Sequence, residues 1–208
     1  MRIAFCLLLI CFSLQTLHAE SPVERGRYIV EVIGACGNCH TPNGPEGKIN
    51  SQNLAGGVHI PDAGMDAWSA NITPDHETGI GSWTDEQIIR AFREGIRPDG
   101  SVIGPMMPIG LYRQISDRDA RAIVAYLRTV KPISNEVPVS TYPFPLPENY
   151  GPPLNEVPEP DRNNPVEYGE YLAGPLGHPD RKFAGTTRLA SWGRSRCRRD
   201  GYLPEKPG

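Results

Sequence analysis

Cys36-Gly37-Asn38-Cys39-His40 places two thiols two residues apart and an imidazole directly after the second. That pattern reads as an attachment site for a c-type haem. Each thiol adds across one porphyrin vinyl group, the two-residue gap lets both sulfurs reach the same ring edge, and His40 is left to ligate the iron. A group held in this way takes up or releases a single electron. Two other readings compete. A thioredoxin-like dithiol uses the same cysteine spacing but needs a strand before it and a βαβ context after it, whereas residues 21–35 read as helix and strand patterns are scarce. A structural zinc site needs four ligands, usually as two pairs, and beyond residue 19 Cys197 is the only further cysteine.

The elements that must position this motif lie on either side of it. Val23, Tyr28, Ile29, Val32 and Ile33 fall at helical spacing. Ser21 can cap them, with Pro22 at the first helical position and Glu24 at the third, so residues 22–35 form a helix that delivers the cysteines. Residues 41–83 read as loop, punctuated by Pro, Gly and Asn. Trp68 and Trp83 in that stretch either pack in the core or lie along a porphyrin with the indole N–H on a propionate. Thr84-Asp85-Glu86-Gln87 is a capping box. The helix behind it offers Ile88, Ile89, Ala91, Phe92 and Ile96 as its apolar face and ends near Gly95. Residues 101–113 read as a loop containing Met106-Met107-Pro108. Ser116 opens a last helix with Asp117 and Asp119 in its first turn, where the helix dipole favours negative charge. Ala120, Ile123, Val124, Leu127 and Val130 make its inner stripe, and Pro132 stops it.

Residues 1–19 have the form of a secretory signal: Arg2, an apolar run from Ile3 to Leu14 broken at Ser13, and Leu17-His18-Ala19 as the cleavage site. The run is shorter than the roughly 20 residues of a membrane span. A periplasmic product follows, soluble or at most peripheral to the membrane. About 190 residues remain, room for one domain with extensions. Gly and Pro number 22 each, about a fifth of the chain, which argues for short helices and many loops. A porphyrin would give so small a core a large apolar body to pack around. Charge is uneven. Residues 20–180 carry 12 basic and 22 acidic side chains, a net of −10, while 181–208 carry 8 and 2, a net of +6. A nucleic-acid or membrane arm would show such asymmetry, but a broken repeat accounts for it below, and no nucleic-acid partner is expected.

Helix, attachment motif, long loop, helix, methionine loop and terminal helix, in that order, resemble a class I cytochrome c domain over residues 22–131. The resemblance implies an all-α fold of short helices around one covalent haem c, with the first and last helices crossing. It implies His40 as the proximal iron ligand and a methionine of the late loop as the distal one. A His/Met pair raises the reduction potential. In that family the ligand commonly precedes proline, which favours Met107 over Met106. Met65 lies before the middle helix, where a core role fits better, and His59 or His76 would give bis-histidine ligation instead. Asn71-Ile72-Thr73-Pro74-Asp75, Thr78-Gly79-Ile80-Gly81-Ser82-Trp83-Thr84, Arg97-Pro98-Asp99-Gly100 and Met107-Pro108 are similar to the multihaem cytochrome c subunits of periplasmic alcohol- and gluconate-type dehydrogenases. That implies an electron carrier rather than a catalyst. Its electrons would come from a dehydrogenase subunit and leave toward a quinone pool or a terminal oxidase. An open sixth site would instead make a peroxidase-like or ligand-binding haem protein, and a non-functional truncation product is a third reading.

Those subunits carry haem domains in tandem, and this chain has one attachment motif. Val166-Glu167-Tyr168-Gly169-Glu170-Tyr171-Leu172 nevertheless echoes Val23-Glu24-Arg25-Gly26-Arg27-Tyr28-Ile29 at an offset of 143, which also sets Gly177 on Gly34. The second motif should fall at 179, 182 and 183, where Pro179, Lys182 and Phe183 stand. The expected organisation is a signal at 1–19, a cytochrome domain at 20–131, a Pro-rich, semi-rigid linker at 132–165 that wraps a domain or joins two, and a degenerate second repeat with a basic, disordered tail at 166–208. A reading-frame change near residue 178 explains the abrupt switch, and a basic tail that docks on an acidic partner, with Cys197 reactive, is its rival.

Overall fold

The computed structural model describes residues 19–62 and 64–178. All but the last residue of the expected signal, and the tail from Pro179, lie outside them.

Helix α1 (Pro22–Arg27) starts as its sequence dictates. Ser21 Oγ accepts the Glu24 N–H, the Glu24 carboxylate accepts the Ser21 N–H, and Pro22 takes the first position. The helix does not stay α-helical to residue 35. From Tyr28 to Ile33 it widens into a π-helical stretch, whose Ile29, Val30, Val32 and Ile33 are the β-branched side chains that crowd an α turn. Ala35 then turns the chain at φ +42, and the single helical turn α2 (Gly37–His40) carries the Cys-His motif.

The long loop contains two antiparallel hairpins. β1 (Asn43–Gly44) pairs with β2 (Gly47–Lys48), and β3 (His59–Asp62) pairs with β4 (Met65–Trp68). The all-α expectation therefore holds for the helical frame but not for residues 43–68. In β4, Met65 and Ala67 are buried and Asp66 is exposed, a two-residue period too brief to read as a strand. Helix α3 (Asp85–Glu94) carries the full Thr84/Gln87 capping box and ends at Gly95 in the left-handed region, φ +74. A short helix α4 (Ile109–Tyr112) lies where the sequence reads as loop. Helix α5 (Asp117–Leu127) begins with Ser116 Oγ accepting the Asp119 N–H and ends ahead of Pro132.

Helices α1 and α5 cross at close range. A Cβ on Gly26 would lie 1.9 Å from the Ala122 carbonyl oxygen and 2.7 Å from Tyr126 Cβ. Beside that contact Arg25 grips Asp119 through two bonds, Nε to Oδ1 at 2.8 Å and Nη2 to Oδ2 at 2.7 Å, with both residues buried. Further along the crossing, Tyr126 donates its hydroxyl to the Glu31 carboxylate. Ile29, Val30, Leu54, Ile88, Ile115 and Val124 are among the side chains that fill the core around it.

Residues 132–163 run over the domain as a strap. Thr73 and Thr78 hydroxyls accept the Ile133 and Asn135 N–H groups. Thr141 exchanges both backbone bonds with Asp66, at 3.0 and 2.8 Å, on the free edge of β4. Tyr150 donates to the Ile103 carbonyl, Arg113 to that of Pro152, and Asp117 N–H to that of Val157. Helix α6 (Pro165–Tyr171) follows and widens into a π-helical stretch, Leu172–Leu176. This segment matches α1 feature by feature at the offset read from sequence. Asn164 caps it as Ser21 caps α1, Pro165 opens it as Pro22 does, and His178 at φ +30 stands where Ala35 does. Among the described residues no helix is long and apolar enough to cross a membrane.

Candidate functional site

The turn α2 fixes the geometry of the motif. His40 N–H bonds the Cys36 carbonyl at 2.9 Å, so Cys36, Cys39 and His40 sit at i, i+3 and i+4, which share one helix face. Both cysteines are free thiols, Cys36 half-buried against the core and Cys39 exposed. Burial pushes the Cys36 thiol up to about 11. A redox-active dithiol needs the opposite shift, because the thiolate is the nucleophile.

The imidazole is set by its second nitrogen. His40 Nδ1 lies 2.8 Å from the Ala70 carbonyl oxygen. A carbonyl only accepts, so Nδ1 carries a proton, and in the neutral ring Nε2 is then the nitrogen with the lone pair. Burial holds the His40 pKa below its ordinary value, against the opposing pull of the Ala70 bond. That shift favours the neutral ring, the form that ligates a metal, and a backbone carbonyl orients it. Its own backbone is pinned as well, since Gly56 N–H bonds the His40 carbonyl at 2.8 Å.

The methionine loop reaches the same core. Met107 N–H bonds the Gly104 carbonyl, and the Met107 carbonyl accepts from Ile109 at 2.8 Å. The Met107 side chain packs against the same apolar cluster as Cys36, together with Ile33, Ile72 and Trp83. Tyr112 is buried beside both cysteines, its hydroxyl pKa driven upward first by burial and then by the sulfurs' negative charge. Met106 is half-buried. The other candidates are engaged elsewhere. Met65 is buried in β4. His59 lies 2.5 Å from Asp66 and stacks on Trp68, ring centroids 4.2 Å apart. His76 is exposed. Trp83 is half-buried against the core cluster, and the ring that stacks on Trp68 is that of His59.

The donor set fits a covalent haem: two thiols and an imidazole on one turn, and a thioether on the apolar cluster that also receives Cys36. Among the described residues no group of three His, Cys, Asp or Glu could hold a metal ion, and Cys197 lies outside them. The acceptor for the imidazole is open in the sequence between Pro42 and a loop carbonyl; in the fold it is Ala70, a backbone atom with no sequence signal. Tyr112 is equally hidden, in a stretch that reads as loop. The Arg25–Asp119 pair is signalled only by an arginine beside the helix-crossing glycine.

A family model described as Cytochrome c matches residues 23–131. The chain is 40% identical over 125 residues to the fructose dehydrogenase cytochrome subunit of Gluconobacter japonicus, covering 60% of this chain and 24% of that protein. It is 32% identical over 192 residues to the cytochrome c subunit of the quinone-dependent alcohol dehydrogenase of Gluconobacter oxydans, covering 85% of this chain and 39% of that protein. With the gluconate 2-dehydrogenase cytochrome c subunit of Pantoea cypripedii it shares 31% identity over 170 residues, 76% of this chain and 37% of that protein. The chain thus spans less than two fifths of the length of each of these relatives.

Proposed function

This chain belongs to the cytochrome c family, and from that premise we propose that it is a periplasmic electron carrier, the cytochrome partner of a dehydrogenase. Cys36 and Cys39 hold one haem c covalently, and His40 Nε2 and the Met107 sulfur ligate its iron. When bound, the haem supplies a reversible one-electron couple. The protein's part is to hold both axial donors still, so that little rearrangement opposes transfer. The His40–Ala70 hydrogen bond is the observation that carries this reading, because it fixes the ring and places the proton of the neutral imidazole on Nδ1, so that Nε2 is the nitrogen free to ligate. Placement of Met107 on the cluster that also receives Cys36 supports the thioether as the second ligand.

Kinship with fructose and alcohol dehydrogenase cytochrome subunits supports a dehydrogenase as electron donor, and a quinone pool or terminal oxidase is the acceptor we infer. The apolar leader supports export to the periplasm. The test is to express the chain with a leader and maturation machinery and to stain a denaturing gel for haem. Covalent colour, a six-coordinate low-spin spectrum and a sulfur-to-iron charge-transfer band are expected. Colourless protein with both thiols open to alkylation would overturn the proposal. High-spin iron that readily takes carbon monoxide would replace electron transfer by a ligand-binding role.

A further inference from the structure

The strap closes over the methionine loop at two consecutive residues. Tyr150 lays its ring on Gly95 and donates its hydroxyl to the Ile103 carbonyl at 2.7 Å. The Ile103 N–H is taken in turn by the Gly95 carbonyl at 2.8 Å, so both backbone groups of Ile103 are bound. Tyr142 meets the next residue. A Cβ on Gly104 would lie 2.0 Å from the Tyr142 hydroxyl oxygen and 2.2 Å from Cζ. Gly104 is buried, and its carbonyl accepts the Met107 N–H. The two tyrosines therefore fix the first residue of the turn that presents Met107 and the residue before it.

We propose that Tyr142 and Tyr150 are positioning residues for the Met107 sulfur: the strap clamps Ile103 and Gly104, and the clamp sets how firmly the thioether can be held at the iron. The inference rests on methionine ligation as proposed above. It gives residues 132–163 a role at the site rather than that of a spacer between domains. A loop segment is an imprecise support for a ligand unless neighbours lock it. Here the lock is one hydroxyl bond and one close ring-to-backbone contact, both from a segment about 40 residues away in sequence.

The holoprotein tests this with two variants and a control. Tyr150→Phe keeps the ring and removes the bond to Ile103. Gly104→Ala forces a methyl group into the Tyr142 ring. Arg118→Gln breaks the strap's pairing with Glu159 at the start of α5. Both loop variants are expected to weaken the sulfur-to-iron band, to lose it at lower alkaline pH, and to bind carbon monoxide about three- to tenfold more tightly, as loss of one hydrogen bond allows. Arg118→Gln should leave all three readouts unchanged. Should Gly104→Ala fail to fold, Tyr150→Phe alone decides. A wild-type band that survives intact in Tyr150→Phe overturns the positioning role and leaves the electron-transfer reading standing. Equal shifts in Arg118→Gln overturn it too, as general loosening. A wild-type spectrum with no such band overturns the methionine ligand and the clamp together.

Discussion

At the scale of single residues, the two adjacent methionines pose the sharpest choice, because one backbone direction cannot aim both sulfurs at the iron. Met107 lies against the core cluster that also receives Cys36. Met107→Ala is therefore expected to lower the reduction potential and to admit carbon monoxide, while Met106→Ala does neither. Potentiometric titration of both holoproteins checks this, and equal shifts would reverse the assignment. The atoms of the site differ in how they are encoded. The two cysteines and His40 are legible because covalent and ligand chemistry demand those side chains at that spacing. The Ala70 carbonyl that orients His40 is not, since any residue would supply it and only the folded path of residues 56–70 brings it to 2.8 Å. The methionines stand between: the loop that carries them is legible, while the contact of Met107 with the core cluster is visible only in the fold.

Among the elements, the capped helices are readable and the pieces between them are not. Ser21, Thr84 and Ser116 each announce a helix start through a side chain that accepts an orphan N–H, a local rule that needs no tertiary context. The hairpins of residues 43–68 escape because strands of two and four residues hold too few side chains for a pattern, and the edge of the second is completed by the distant Thr141. The α1–α5 crossing follows from the resemblance, but its mechanism is visible only in three dimensions. Gly26→Ala would drive a methyl group into the Ala122 carbonyl and should destabilise by about 1–3 kcal/mol or more in urea unfolding. Asp119→Ala would strand the buried Arg25 guanidinium, at a cost of about 3–5 kcal/mol. The same pair makes stability pH-dependent. Burial would raise the Asp119 carboxyl, but the Arg25 guanidinium outweighs it and holds the folded pKa below the usual carboxylate range. Its contribution is therefore fully present above the unfolded carboxylate value, about 3.9, and is lost as pH falls through the depressed folded one. Thermal unfolding followed from neutral pH downward should show a larger acid loss in wild type than in Asp119→Ala.

For the molecule as a whole, the question is whether the strap and the α6 segment belong to the fold or merely hang from it. The offset of 143 is legible in the sequence, and the shared cap, proline, widened helix and left-handed turn extend the likeness to residue 178. What sequence does not convey is where this second segment lies. Tyr171 is buried against the start of α5, where its hydroxyl accepts the Ser116 N–H at 3.1 Å and donates to Asp119 Oδ2 at 2.8 Å. His178 Nε2 donates to the Gly34 carbonyl at 2.8 Å, one residue before the turn that leads to Cys36. The α6 segment thus completes the same buried network that ties α1 to α5. Tyr171→Phe keeps the ring and removes both bonds, leaving the buried Ser116 N–H without this partner at a cost of about 1–3 kcal/mol. It also removes one of the bonds that hold the Asp119 carboxyl down. The folded pKa of Asp119 should then rise toward its unfolded value, and the acid limb of the stability curve should move to higher pH. An appendage would give neither effect. Unchanged thermal unfolding at neutral pH, together with an unchanged acid limb, would show that the domain closes without this segment.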